Sequence, residues 1–231
     1  MKLSEEKIRE MEKIYSRYWW SEEEEEEYRE ISSDPFKLLI FTILSQNTSG
    51  VNTRRAYRSL NERFNIDAFS LSKADEHDIA EAIRHGGLYR VKARKIKEVS
   101  KYLVENYEGR LDKILKMDME KARKELLKLP GVGNKTAGVI LASIYGQRKA
   151  FVIDTHMRRI AIRLGLVNEK ANYDEIEKKL KEIFPWEKLK GKEDRVASLF
   201  WLLAKHTCRA INPRCEKCIL KEDCRFYLTQ K

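Results

Sequence analysis

The chain has 231 residues, with 47 Lys and Arg against 37 Asp and Glu, a net charge of +10 at neutral pH. That length suffices for one large domain or two small ones; no apolar run approaches the roughly 18 residues of a membrane-crossing helix, and residues 1–10 lack the apolar core of a signal peptide. These features argue against a membrane-spanning helix, a fibre or a disordered chain and predict a soluble intracellular protein. Its positive charge suits nucleic acid or an anionic membrane surface, although solubility alone would also account for it.

In chain order, Ser21 and the six glutamates Glu22 to Glu27 read as a capped, solvated first helical turn. Asp34-Pro35, an N-cap followed by proline at the first helical position, predicts a helix from Pro35 to about Gln46. Ser72 and Asp75 suggest a capping box opening a segment that closes at Gly86-Gly87. Val91, Ile96, Val99 and Leu103 mark an amphipathic face. Ala122 to Leu129 and Thr136 to Tyr145 are predicted helices, and Asn172 with Glu175 forms another capping box before a helix ending near Pro185. Alternating strand patterns are nearly absent; the β-branched run Phe151-Val152-Ile153 reads as a buried extended connector. The expected class is all-α, without a flexible tether.

Three constellations carry chemistry. Leu129-Pro130-Gly131-Val132-Gly133-Asn134-Lys135-Thr136-Ala137 lies between two predicted helices. Its glycines permit positive φ and leave backbone N–H groups beside a helix N-terminus, a seat for phosphate. The whole string reads as a helix-hairpin-helix that grips the DNA backbone without reading sequence. Lys135 falls in the first turn of the second helix, where the helix dipole disfavours a cation. An ordinary lysine is only about one-thousandth neutral at about pH 7.4, so a nucleophilic role needs surroundings that oppose the ammonium; a lysine paired with phosphate is the alternative. In Val152-Ile153-Asp154-Thr155-His156, an apolar segment delivers Asp154 to a helix start. An aspartate there is ordinarily an N-cap, but one about twenty residues after a hairpin lysine could also activate the amine and stabilise a cationic sugar. His156 suits a structural or DNA-contacting role.

All four cysteines fall within seventeen residues: Cys208, Cys215, Cys218 and Cys224. In an intracellular chain this favours metal binding over disulfides. Four thiolates suit Zn²⁺ or a [4Fe–4S] cluster; a single Cys-x-x-Cys flanked by lone cysteines leans towards iron–sulfur. Arg209, Arg214, Lys217 and Lys221 would make this loop basic.

These ordered motifs resemble the endonuclease III family of helix-hairpin-helix glycosylases, from about Ile31 to Tyr227. The resemblance implies two helical lobes with an active-site cleft between them: residues 34–149 as a six-helix barrel carrying the hairpin, 150–231 as an iron–sulfur cluster lobe, and 1–33 packing on the cluster lobe. It implies Lys135 as the Schiff-base nucleophile, Asp154 as the catalytic aspartate and the four cysteines as ligands of a [4Fe–4S] cluster. Gly131, Val132, Gly133 and Asn134 would contact the DNA backbone. Leu44-Ser45-Gln46-Asn47-Thr48 resembles the stretch whose amide fills the hole left by an extruded base. The order departs from the family, with Asn47 on its glutamine, Gln46 one position earlier and Gly50 in place of an acidic residue. Gly87-Leu88-Tyr89 resembles the loop whose leucine wedges into the base stack. The implied activity is a bifunctional DNA glycosylase and abasic-site lyase for oxidised pyrimidines, nicking 3′ to the lesion by β-elimination. A glycosylase for mismatched or oxidised purines, or a non-catalytic DNA-binding module, are the alternatives. The expected partner is double-stranded DNA with damaged bases or abasic sites, with no membrane; the protein is expected to be a monomer, cytoplasmic and nucleoid-associated in a prokaryote, otherwise nuclear or organellar.

Overall fold

A computed structural model of the protein describes residues 1–229 and is helical, with no strand among them. The helices are α1 (Glu5–Tyr15), α2 (Glu22–Ser33), α3 (Pro35–Leu44), α4 (Gly50–Arg63), α5 (Ala68–Lys73), α6 (Glu76–Ala82), α7 (Tyr89–Tyr107), α8 (Asp112–Leu115), α9 (Met119–Lys128), α10 (Asn134–Tyr145), α11 (Thr155–Leu164), α12 (Tyr173–Ile183), α13 (Glu193–His206) and α14 (Arg225–Leu228). None is long and apolar enough to cross a membrane. The chain forms two compact units, Glu22–Ile144 and Met1–Ser21 joined with the chain from Tyr145 on.

In the unit Glu22–Ile144, Asp34 caps α3 by accepting from Phe36 N at 2.8 Å and Lys37 N at 3.1 Å, with Pro35 following. Leu38, Leu39, Ile40, Ile43 and Leu44 are fully buried, so α3 is core on nearly every side. It stops two residues before Gln46, because Asn47 turns into the left-handed region with φ 52°. Asp75, not Ser72, caps α6; Ser72 lies within α5 and donates its hydroxyl to Phe69 O at 2.8 Å. The long α7 packs along α5, α6 and α3 through Ala93, Ile96, Val99 and Leu103, whereas Val91, expected on that face, is exposed.

The unit boundaries fall elsewhere than the expected 33/34 and 149/150. Helix α2 belongs with residues 22–144 because its acidic face finds partners there: Glu24 and Glu27 pair with Arg54 at 3.0 and 3.4 Å, and Arg58 reaches Glu27 at 2.6 Å. Tyr28 also packs edge-on against Phe41, with ring centroids 5.9 Å apart. The glutamate run is thus partly a docking face.

In the other unit, α13 packs on α1 and α11, and α11 on α12 and α14. Phe151, Phe184, Trp186 and Phe200 form an aromatic core in which Phe184 stacks on Trp186 at 4.9 Å and meets Phe200 edge-on at 5.4 Å. The predicted capping box of α12 is present, Asn172 and Glu175 each accepting from the other's backbone N–H. The N-terminal strand of sequence is tied in by Leu3 N to Ile183 O at 2.8 Å and by a 2.6 Å hydrogen bond between the hydroxyls of Tyr15 and Thr207.

Candidate functional site

The hairpin is built as its sequence requires. α9 ends at Lys128, Val132 N closes a turn onto Leu129 O at 3.1 Å, and α10 starts at Asn134. Leu129 and Val132 are buried and anchor the turn. Gly131 has φ 76°, and a Cβ there would come within 2.9 Å of the Lys95 side chain, so both conformation and space call for glycine. Gly133 does not adopt positive φ; a Cβ there would meet nothing within 4 Å. Its contribution is a bare, exposed backbone before a helix whose first N–H groups have no intrahelical acceptor.

Lys135 stands in the first turn of α10, exposed, its side chain without a hydrogen bond or ion pair to any described residue. In the same unit, Gln46 is fully engaged: its amide donates to Gly131 O at 3.1 Å and Thr136 Oγ1 at 3.4 Å and accepts from Lys95 Nζ at 3.0 Å. Asn47 next to it is exposed at positive φ. Leu88 is 57% exposed with φ 48°, following Gly87 at φ 62°. A large apolar side chain exposed on left-handed backbone is uncommon, and such strain clusters at functional loops.

Asp154 lies in the other unit, as N-cap of α11. One carboxylate oxygen accepts from His156 N and Met157 N, each at 2.9 Å; the other accepts from Trp201 Nε1 at 2.7 Å. The extended connector before it is pinned by α12. Buried Glu177 accepts from Phe151 N at 3.0 Å, and Tyr173 Oη accepts from Ile153 N at 3.2 Å. His156 Nδ1 lies 3.1 Å from Arg159 Nη2, and its ring is edge-on to Trp201. Sequence patterning missed Trp201, Glu177 and Tyr173 because each reaches the segment from a distant helix; only a polar handle on an otherwise apolar face hints at them.

Trp201 fixes the free oxygen of Asp154, so Trp201→Phe is expected to lower excision under single turnover about tenfold, the equivalent of a charge-assisted hydrogen bond of about 1–2 kcal/mol. An unchanged rate would show that this contact does not matter to the reaction.

Cys208, Cys215, Cys218 and Cys224 are all unpaired thiols. The Cys218 thiol is pushed up to about 11, by burial first and then by opposing charge on Cys208, Cys224 and Cys215, while a backbone hydrogen bond from Leu220 pulls it down. Burial and its cysteine neighbours raise Cys215 too. Two thiols held against ionising by burial and by their cysteine neighbours suit a bound cationic centre, which would relieve that opposition. Among the described residues no three such groups are gathered at ligand spacing around one point, so the sulfurs form a neighbourhood rather than a closed cage. Arg163, from α11, donates to Arg209 O at 2.7 Å and to Cys208 Sγ at 3.4 Å, bracing the loop.

Residues 40–186 match the HhH-GPD superfamily of base excision DNA repair proteins. Endonuclease III of Thermotoga maritima is 38% identical over 84% of each chain, and that of Sulfolobus acidocaldarius 34% identical over 96% of this chain and 94% of its own. The chain belongs to the endonuclease III family. As a member it is a base-excision DNA glycosylase and abasic-site lyase. Among solved structures, a trapped covalent intermediate of an endonuclease III with DNA superimposes with a TM-score of 0.71 at 28% identity, covering 99% of both chains. A non-covalent endonuclease III–DNA complex gives 0.70 at 28% identity, covering 99% of this chain and 98% of its own.

Proposed function

We propose that this endonuclease III family member excises oxidised pyrimidines from duplex DNA, acting as a monomer through Lys135. The amine nitrogen bonds to the sugar C1′ as the glycosidic bond breaks and the base leaves with a proton. Asp154 accepts the lysine's proton and stabilises positive charge on the sugar. The C1′–O4′ bond of the resulting aminal then breaks as O4′ takes up a proton, which opens the sugar to a Schiff base; this loses a proton from C2′ as the 3′ phosphate departs. Extruding the nucleotide costs a few kcal/mol of lost stacking, offset by backbone contacts at Gly131, Val132, Gly133 and Asn134 and by two inserted side chains, Leu88 as wedge and Asn47 as gap filler. Asn47 is preferred over Gln46 because the Gln46 amide is already engaged with Gly131, Thr136 and Lys95.

The observation that carries this reading is an exposed lysine side chain without a partner in the first helical turn after a glycine hairpin, together with the similar endonuclease III that forms a covalent DNA intermediate. The four cysteines would hold a [4Fe–4S] cluster, which, when bound, would brace the basic loop from Cys208 to Cys224; a zinc site would show no iron on metal analysis. Duplexes bearing thymine glycol, 8-oxoguanine or a G·T mismatch, assayed for base release and for borohydride-trapped adduct, test the proposal. Thymine glycol is expected to be released fastest with adduct formation. Faster release from either of the other two would move the assignment to a purine or mismatch glycosylase, and no adduct on any duplex would remove the Schiff base.

A further inference from the structure

Lys92 is a lysine that the chemistry above does not use, and it is 2% exposed. Its ammonium donates to Leu44 O at 2.7 Å and to Gly86 O at 2.6 Å, and no carboxylate pairs with it among the described residues. Burying an unpaired cation is costly; here burial, then the like charge of Lys95, lowers it to about 8. Its two acceptors share a property. Leu44 is the last residue of α3, and Gly86 ends a 3-10 turn at Arg84–Gly86, so both carbonyls lie where intrahelical donors run out and the backbone dipole is negative.

The segments beyond these carbonyls are the two strained loops. Three residues after Leu44 comes Asn47 at φ 52°, and two after Gly86 comes Leu88 at φ 48°. The loops abut, since a Cβ at Gly87 would lie 3.7 Å from Thr48 Oγ1. One side chain thus clamps the roots of both loops, and non-glycine left-handed backbone persists only where its surroundings over-determine it.

We propose that Lys92 is a positioning residue that locks the Asn47 loop to the Leu88 loop, so that filler and wedge enter the base stack as one unit. The proposal rests on the reading of Asn47 and Leu88 as inserted side chains. A lysine serving stability alone would, when removed, weaken every function equally; a positioning lysine matters only where a base stack must be opened.

The experiment compares Lys92→Met with the unaltered protein on an abasic site in a duplex and on the same abasic strand unpaired, by borohydride trapping. A 2-aminopurine beside the site reports unstacking. Lys92→Met is expected to trap the single strand within about twofold of normal, to lose about tenfold or more on the duplex, and to lose the 2-aminopurine signal. Placed in an Asn47→Ala, Leu88→Ala background, it is expected to cost nothing further. Equal losses on both substrates, or a full additional loss in that background, overturn the proposal. If Asn47→Ala, Leu88→Ala alone leaves duplex trapping and unstacking intact, the reading of those two side chains has failed instead. Lys92→Gln, which keeps an amide N–H donor at a shorter reach, undergoes the same comparison should Lys92→Met give no folded protein.

Discussion

Lys135→Ala is expected to abolish the borohydride-trapped adduct and to lower strand nicking at abasic sites by about 10³-fold or more, because a positioned intramolecular amine cannot be replaced by solvent. The fold should be unaffected or slightly strengthened. Lys135 is exposed and touches no described partner, and removing a cation from the first turn of α10 relieves about 0.3–1 kcal/mol of unfavourable interaction with the helix dipole. Affinity for abasic duplex should fall only modestly, with the salt dependence reduced by about one phosphate contact. Trapping, nicking and a thermal melt on one preparation give all three readings. If the adduct survives, the nucleophile is another group; if only the salt dependence changes while nicking persists, Lys135 is a phosphate contact.

The second large effect belongs to Asp154→Asn. Asparagine caps helices about as well as aspartate, so α11 keeps its N-terminus, while the charge that would accept a proton and face a cationic sugar disappears. Single-turnover base release is expected to fall about 10²- to 10⁴-fold. The geometry adds a second signature. With its single amide oxygen still accepting from His156 N and Met157 N, the amide nitrogen faces Trp201 Nε1, which now meets a donor in place of its 2.7 Å acceptor. An unsatisfied donor costs about 1–3 kcal/mol, so the variant should melt lower. Asp154→Asn with Trp201→Phe should recover that stability without recovering activity. Base release within a few-fold of normal for Asp154→Asn would leave Asp154 as a cap alone.

Most local signals in the sequence held, with the Ser72/Asp75 box and Val91 on the face of α7 as exceptions. The Asp34-Pro35 start, the Asn172/Glu175 box, Asp154 at a helix start, Lys135 in a first turn and the glycine hairpin depend on residues a few positions apart, and the structure places each as expected. The residues that escaped altogether were placed by distant partners. Lys92 sits in a run of charged residues that reads as a solvated helix face, and only the carbonyls of Leu44 and Gly86, 48 and 6 positions away, bring it inside. Trp201 reaches Asp154 across 47 positions. The glutamates of α2 read as solvent-facing until Arg54 and Arg58 are seen beside them. The engagement of the Gln46 amide depends on a hairpin atom 85 positions on, which no local pattern encodes.

The unit that holds Asp154 and the cysteines is discontinuous, made from residues 1–21 and from 145 onward, whereas 22–144 is a single stretch. On the ribosome the latter has all its own residues available once it emerges, while Tyr15 meets Thr207 only after 192 further residues have been added. α1 therefore emerges well before the residues it docks on. Its exposed face is charged, with Glu5, Glu6, Arg9, Glu10 and Lys13, which keeps a waiting segment with an apolar stripe from associating with its neighbours on a polysome.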